Sequence, residues 1–237
     1  MLPRHVALIM DGNNRWSQRE GLSPEQGYEA GVNAWHHTVQ LSARWGISAL
    51  TAFFFSTENW RRPQAEVQVL MQLFERVLNG VREDFMSWNV KARAVGDTSK
   101  LPASLQLAIE KLERRTAEND GLKLSIAVNY GGRDDLVQAC RSIAADVRDG
   151  KLHACDIEEE VVDKALLTRW MGEGTHNPDL VIRTSGDQRI SNFLLWQCAY
   201  SELLFLDFFW PEMDELRYAQ ALRLFQDRKR RFGGRTS

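Results

Sequence analysis

The sequence predicts a single α/β domain on a parallel sheet, and three observations predict it. Short apolar runs recur along the whole chain, helical patterns stand between them, and no linker interrupts the series. Strands of four to nine residues alternating with helices imply a parallel sheet covered on both faces. No low-complexity segment, internal repeat or Pro/Gly-rich stretch divides the 237 residues, so one domain, 1–237, is expected.

The elements follow in order. ALIM (7–10) is the first apolar run, and a helical pattern follows over about 28–45. ISALTAFFF (47–55) leads into a long helical pattern over about 65–88. VKARAV (90–95) precedes a helix near 103–118, and LKLSIAV (122–128) precedes helices near 134–149 and 157–170. DLVIR (179–183) and ELLFLD (202–207) come late, and a last helix is expected over about 215–231.

Composition is ordinary for a globular chain, 43% hydrophobic and 26% charged, with net charge -2. That charge favours neither nucleic acid nor a membrane surface, so any anion site must be local. Cys140, Cys155 and Cys198 are odd in number, widely spaced and free of any CxxC pattern, which reads as reduced thiols. No apolar run approaches the ~18 residues of a membrane span. The first strand begins about four residues from Met1, so no signal peptide is expected within this sequence.

In an open parallel sheet, function gathers at the carboxyl ends of strands. Three such ends carry chemistry. After ALIM comes DGNNRW (11–16). Gly12 permits a tight backbone whose N–H groups can cradle an anion. A carboxylate at Asp11 would repel a phosphate unless a divalent cation bridges them, and Mg²⁺ binds through one or two carboxylates plus substrate phosphates. Turn chemistry alone would also select Asp, Gly and Asn here, and both readings stand.

After TAFFF comes STENWRRP (56–63). Arg62 suits a phosphate, and Ser56 and Asn59 suit proton relay. Equally, Ser and Asn suit a helix cap with Pro63 in its first turn. After DLVI comes RTSGDQRISNF (183–193), where Arg183, Arg189 and Ser191 on a glycine loop make a credible diphosphate clamp. Glu202 begins the last strand as a weak candidate for a second metal ligand. Together these ends point to two diphosphate groups. Neither GxGxxG after a strand nor GxxxxGK[ST] is present. The helix after RRP carries Val67, Leu70, Met71, Phe74 and Leu78 on one face, and opposite Phe53, Phe54 and Phe55 it would suit an isoprenoid tail as well as an ordinary core.

The blocks HVALIMDGNNRW, FFFSTENWRRPQAEVQVLM, VNYGGRDDLVQA, PDLVIRTSGDQRISNFLLWQCAYSE and FFWPEMDE stand in one order along nearly the whole chain. In these the sequence closely resembles the cis-prenyltransferases, the undecaprenyl diphosphate synthase family. The resemblance implies six mostly parallel strands flanked by helices around an apolar tunnel, and a homodimer. It implies Mg²⁺-dependent condensation of an allylic diphosphate with isopentenyl diphosphate. By position, Asp11 would handle Mg²⁺ and the allylic diphosphate, which Gly12, Asn13, Asn14 and Arg15 would hold. Arg183, Arg189 and Ser191 would bind isopentenyl diphosphate, with Glu202 helping to place the metal. Ser56, Asn59 and Trp60 would stand at the reacting carbons with Arg62 and Glu66 nearby. Trp16, Tyr28, Phe54 and Phe74 complete the expected substrate-binding set.

Departures from the family pattern sharpen this. Chain-elongating members usually carry arginine where this chain has Pro24 and histidine where it has Tyr28. Asn14 stands where glycine is common. Phe54 stands where a small residue is usual at the tunnel wall. A short-chain enzyme making a C10 to C20 product is therefore expected, similar to plant or plastid members, in the plastid stroma or cytoplasm. Loss of the arginine and histidine also raises irregular coupling of two dimethylallyl diphosphates, as in lavandulyl diphosphate formation.

No histidine is placed to take a proton: His5 precedes a strand, His36 and His37 point about 100° apart on a helix, and His153 and His176 lie in loops. A diphosphate oxygen, or Asn59 with Ser56, is the expected acceptor. A non-catalytic accessory subunit is disfavoured because Asp11 and Asn59 are both present. The basic stretch DRKRRFGGR (227–235) lacks interleaved aromatic platforms and reads as a solvated helix end rather than a nucleic-acid site.

Overall fold

The computed structural model describes residues 1–231 and 234. Six strands form one sheet: β1 (His5–Ile9), β2 (Ala49–Ser56), β3 (Lys91–Val95), β4 (Lys123–Tyr130), β5 (Leu180–Arg183) and β6 (Glu202–Phe205). Their spatial order is β3-β4-β2-β1-β5-β6, and all five pairings are parallel. Val6, Leu8 and Ile182 enter the larger core on one face, while Ala7, Ile9 and Val181 enter a smaller one on the other. That alternation is the period-2 pattern of a sheet buried on both faces.

The larger core is covered by α2 (Pro24–Arg44), α3 (Gln64–Gly80), α5 (Ala103–Arg115) and α8 (Glu215–Gln226), preceded in the chain by α1 (Asn13–Arg19). A short α4 (Arg82–Ser87) follows α3. α6 (Gly132–Arg148) and α7 (Glu159–Ala165) complete the described helices. α2 starts on Ser23, whose hydroxyl accepts from Gln26 N while the Gln26 side chain accepts from Ser23 N. Pro24 fills the first helical position, where its missing N–H costs nothing.

The helix expected over 65–88 divides at Val81 into α3 and α4. The pattern over 157–170 yields only α7 and then a 3₁₀ turn, Leu167–Met171. The last helix stops at Gln226 rather than near 231. Of the basic stretch 227–235, residues 232, 233 and 235 lie outside the described residues. No helix among the described residues is long and apolar enough to cross a membrane.

β1 is the point where the sheet's order turns: the chain leaves it toward β2 and later adds β5 on its other side. Open α/β sheets bind ligands in the crevice at such a point, outside the carboxyl ends of the two strands. Asp11 follows β1, and Arg183 ends β5 in register with Ile9.

Candidate active site

Two short hydrogen bonds fasten the ends of β1 and β5 together. The Thr184 hydroxyl donates to the Asp11 carbonyl at 2.7 Å and accepts from Asp11 N at 3.1 Å. Beyond Asp11 the chain turns through Gly12, whose φ of +104° is costly for any residue with a Cβ. A Cβ there would also meet Phe209 Cδ1 at 2.7 Å. Gly12 caps α1 without a side chain to bond the helix's first N–H groups, and the first intrahelical bond is Trp16 N to Gly12 O. The N–H groups of the first turn are therefore available to an anion at the cavity mouth. α1 lies close on α2 because Gly27 and Gly31 leave room for the Asn13 carbonyl and side-chain amide.

Three arginines meet two aspartates at this mouth. Arg183 is only 4% exposed; its Nη2 donates to Asp11 Oδ2 at 2.8 Å, and its Nη1 donates to Ser191 Oγ at 2.7 Å and to the Arg189 carbonyl. Arg15 Nη2 lies 3.3 Å from Asp11 Oδ1 and 3.1 Å from Asp187 Oδ2, and also bonds Ser185 Oγ. Arg189 Nη1 donates to Asp187 Oδ1 at 2.8 Å. The guanidiniums of Arg189 and then Arg15 hold the Asp187 carboxyl below the usual carboxylate range. Guanidiniums so close repel one another, and the two carboxylates are what make their convergence tolerable.

The end of β2 breaks the sheet's alternation. Phe53 is in register with Ala127 and Phe55 with the next residue, Val128, so Phe54 is an extra residue. This bulge sends Phe53 to the smaller core but both Phe54 and Phe55 to the larger one. β4 compensates one step later: Ser56 opposes Tyr130, and Asn129 takes a left-handed φ of +47°. Asn129 then accepts from Trp60 Nε1 at 2.7 Å. Ser56 and Asn59 cap each other across a 3₁₀ turn, Thr57–Arg61: Asn59 Oδ1 accepts from Ser56 N at 2.9 Å, and the Ser56 hydroxyl accepts from the Asn59 backbone N–H. They therefore cap this 3₁₀ turn and not the next helix, α3, whose N-cap is Pro63 with no side-chain cap, and both residues line the cavity.

That cavity, about 470 Å³, has a polar mouth and an aromatic floor. The mouth carries Asp11 to Arg15, Ser56, Asn59, Arg62, Glu66, Arg183 and Ser191. Phe54 forms the floor between Trp35, at 4.9 Å between ring centroids, and Phe74, at 5.2 Å. On the α3 side, the Tyr28 hydroxyl donates to Glu66 Oε1 at 2.6 Å, and Arg62 Nη1 donates to the same oxygen at 3.1 Å. Burial, and then the bond to Glu66, push the Tyr28 phenol well above its ordinary pKa, so it stays a hydroxyl donor.

Four expected residues stand apart from this cavity's lining, which excludes Trp16, Trp60, Arg189 and Glu202. Trp60 is held at the rim by Asn129, and Arg189 by Asp187. Glu202 lies away from the cavity within this chain. It begins β6 in register with Leu180, three residues before the Arg183 level, roughly 10 Å along the strands. There it accepts from Arg228 Nη1 at 2.8 Å. Asp11 follows the carboxyl end of β1 while Glu202 opens the amino end of β6, so one chain does not bring the two together. Sequence reasoning missed Asp187, Thr184, Asn129 and Gly31. Asp187 alone left a signal, as the acid between two arginines in RTSGDQR.

Among the described residues no group of three or more His, Cys, Asp or Glu forms a ready metal cage. Asp11, 30% exposed beside the unpaired N–H groups of α1, fits a different kind of cation. Mg²⁺ takes one or two carboxylates and fills the rest of its shell with water and phosphate oxygens.

Comparison with known proteins agrees with this geometry. The family described as "Putative undecaprenyl diphosphate synthase" matches residues 9–233. The chain is similar to Cis-prenyltransferase 4, chloroplastic, of Solanum lycopersicum, with 48% identity over 237 residues, all of this chain and 76% of that one. It is 45% identical to the isoprenyl transferase of Bacillus subtilis over 98% of this chain and 88% of that one. Among solved structures it resembles lavandulyl diphosphate synthase from Lavandula x intermedia in complex with dimethylallyl diphosphate. The TM-score is 0.94 at 38% identity, covering 98% of both chains.

Proposed function

The chain belongs to the undecaprenyl diphosphate synthase family, the cis-prenyltransferases, and on that premise we propose that it is a short-chain cis-prenyl diphosphate synthase making a C10 to C20 product. The enzyme class, transfer of a prenyl group with release of diphosphate, is that of the family. The shorter product is our own reading, and the floor carries it. Phe54 stands edge-on to Trp35 and against Phe74, where its ring takes up room that a smaller residue would leave to a growing tail.

In this reading the allylic diphosphate lies at the first turn of α1, held by the N–H groups of Gly12 to Arg15 and the Arg15 guanidinium. Asp11 would hold the Mg²⁺ on which the family generally depends. When bound, that ion supplies positive charge against the departing diphosphate. Arg183, Arg189 and Ser191 take the second diphosphate in bidentate fashion. The allylic C–O bond breaks with its electron pair going to the diphosphate. The alkene of isopentenyl diphosphate forms the new C–C bond, and a proton then leaves the resulting cation. Asn59 Oδ1 is already engaged by Ser56 N, and an amide is no base at neutral pH. Asn59 and Ser56 therefore position, and a diphosphate oxygen takes the proton. Arg62, steadied by Glu66, adds positive charge at the mouth.

A homodimer through the exposed edge of the sheet fits this reading. β6 is an edge strand carrying the exposed Leu203, and unpaired edges invite pairing. Any share of Glu202 in the metal site then belongs to an assembly of two chains. A plastid location is supported by the chloroplastic relative in Solanum lycopersicum.

One observation favours a second reading, irregular coupling of two dimethylallyl diphosphates. The likeness to lavandulyl diphosphate synthase spans almost the whole chain, and Tyr28 stands where chain-elongating members usually have histidine. Product analysis with Mg²⁺ decides between them. A C10 product from dimethylallyl diphosphate alone means irregular coupling. A short product that requires isopentenyl diphosphate means cis elongation. A long product from farnesyl and isopentenyl diphosphates overturns the short-chain proposal.

A further inference from the structure

Asp187 sits where a substrate anion would be expected. Its Oδ1 takes Arg189 at 2.8 Å, and its Oδ2 takes Arg15 at 3.1 Å and lies 3.7 Å from Arg183. All three are the arginines that converge on the mouth. The buried Arg183 is anchored by Asp11, Ser191 and a carbonyl, so it keeps its place without Asp187. Arg15 and Arg189 are different. Their side chains are 46% and 61% exposed, and Asp187 is the carboxylate they share. A diphosphate offers the same partners in the same geometry, oxygen acceptors for forked guanidiniums, with more charge.

We propose that Asp187 is a displaceable internal counter-anion: it gathers Arg15 and Arg189 between turnovers, yields Arg15 to the incoming allylic diphosphate and Arg189 to the second diphosphate, and reclaims them as inorganic diphosphate and product leave. The inference rests on the reading of this mouth as a diphosphate site. Its physical content is competition. One carboxylate competes with both diphosphates for these two guanidiniums, so it weakens diphosphate binding at each and speeds departure. Preorganisation alone would act in the opposite sense, because an aspartate that merely shapes the loop strengthens binding. The sign of the effect therefore separates the two roles.

The test is calorimetric titration of inorganic diphosphate into the full chain with Mg²⁺, comparing wild type with Asp187→Asn, Asp187→Ala, Asp187→Glu and Arg183→Ala. Asp187→Asn should bind diphosphate about threefold to tenfold tighter, the scale of a partly exposed charge-assisted pair. Its KM for the second diphosphate and its kcat should fall together, because release slows. Inhibition by added diphosphate should tighten by the same factor. Asp187→Glu should restore wild-type values, and Asp187→Ala should move them in the direction of Asp187→Asn. Equal or weaker binding by both neutral variants overturns the inference while leaving the diphosphate site standing, provided Arg183→Ala loses affinity. If wild type and Arg183→Ala bind diphosphate equally or not at all, the diphosphate reading of the mouth falls, and this inference with it.

Discussion

Asp11 and Phe54 lie in one cavity, yet the mouth around the first is held by charge and the floor around the second by shape. At the mouth, hydrogen bonds and ion pairs between Arg15, Arg183, Arg189, Asp11 and Asp187 fix side chains that, apart from the buried Arg183, remain partly open to water. At the floor, Trp35, Phe54 and Phe74 fix one another by ring contacts alone. Charged groups act on an anion over several ångströms, so in the proposed reading the mouth sets whether the reaction runs. Rings act only where atoms touch, so in that reading the floor sets how long a product can grow.

That division can be broken most forcefully at Asp11. Asp11→Ala should lower turnover by about 10³-fold, the scale of losing a charge-stabilising group, without altering product length. Steady-state rates and product chromatography check both halves. A changed length would mean that mouth and floor are coupled.

A smaller effect is expected where α1 rests on α2. A Cβ at Gly31 would run into the Asn13 side chain and approach Trp210 Cδ1 at 3.2 Å. Gly31→Ala should cost about 1–3 kcal/mol of stability, as overpacking does. It should also weaken diphosphate binding, because α1 carries the N–H cradle. Urea unfolding and diphosphate titration report the two. Stability loss with binding unchanged would detach α1 from the site.

The smallest change is at Tyr28. Tyr28→Phe removes one hydroxyl from Glu66 and leaves the Arg62–Glu66 pair, spaced at 3.1 Å, in place. A net hydrogen bond is about 1 kcal/mol, so KM for the allylic substrate should shift by a few-fold at most. A loss above about 100-fold would promote Tyr28 from a neighbour of the mouth to a part of it.

The mouth was largely legible in the sequence and the floor only partly. An acid, a glycine and an arginine placed directly after buried strands contradict the core that precedes them, and that contradiction marked Asp11, Gly12, Arg15 and Arg183. α1 left no signal, because seven residues rich in Asn and Arg show no helical periodicity. Phe54 stood out from Phe53 and Phe55 only as a departure from a family pattern. Its placement beside Phe55 on one face depends on a bulge balanced by Asn129 in a strand some seventy residues away, and no local pattern encodes that pairing. Glu202 was expected at the start of the last strand and opens β6 there. Position in sequence gave its strand, but the end of the sheet at which it lies follows from parallel register with β5.

The most direct test of the division between mouth and floor is the product length of Phe54→Ala beside wild type, each given the same allylic diphosphate with isopentenyl diphosphate and Mg²⁺. The variant should lose about 3 kcal/mol of stability, as a large-to-small core change does. It should make longer products than the wild-type C10 to C20, with the first condensation unchanged in rate. Identical lengths in the two proteins, or a long-chain product from wild type, would contradict the assignment of chain length to this floor.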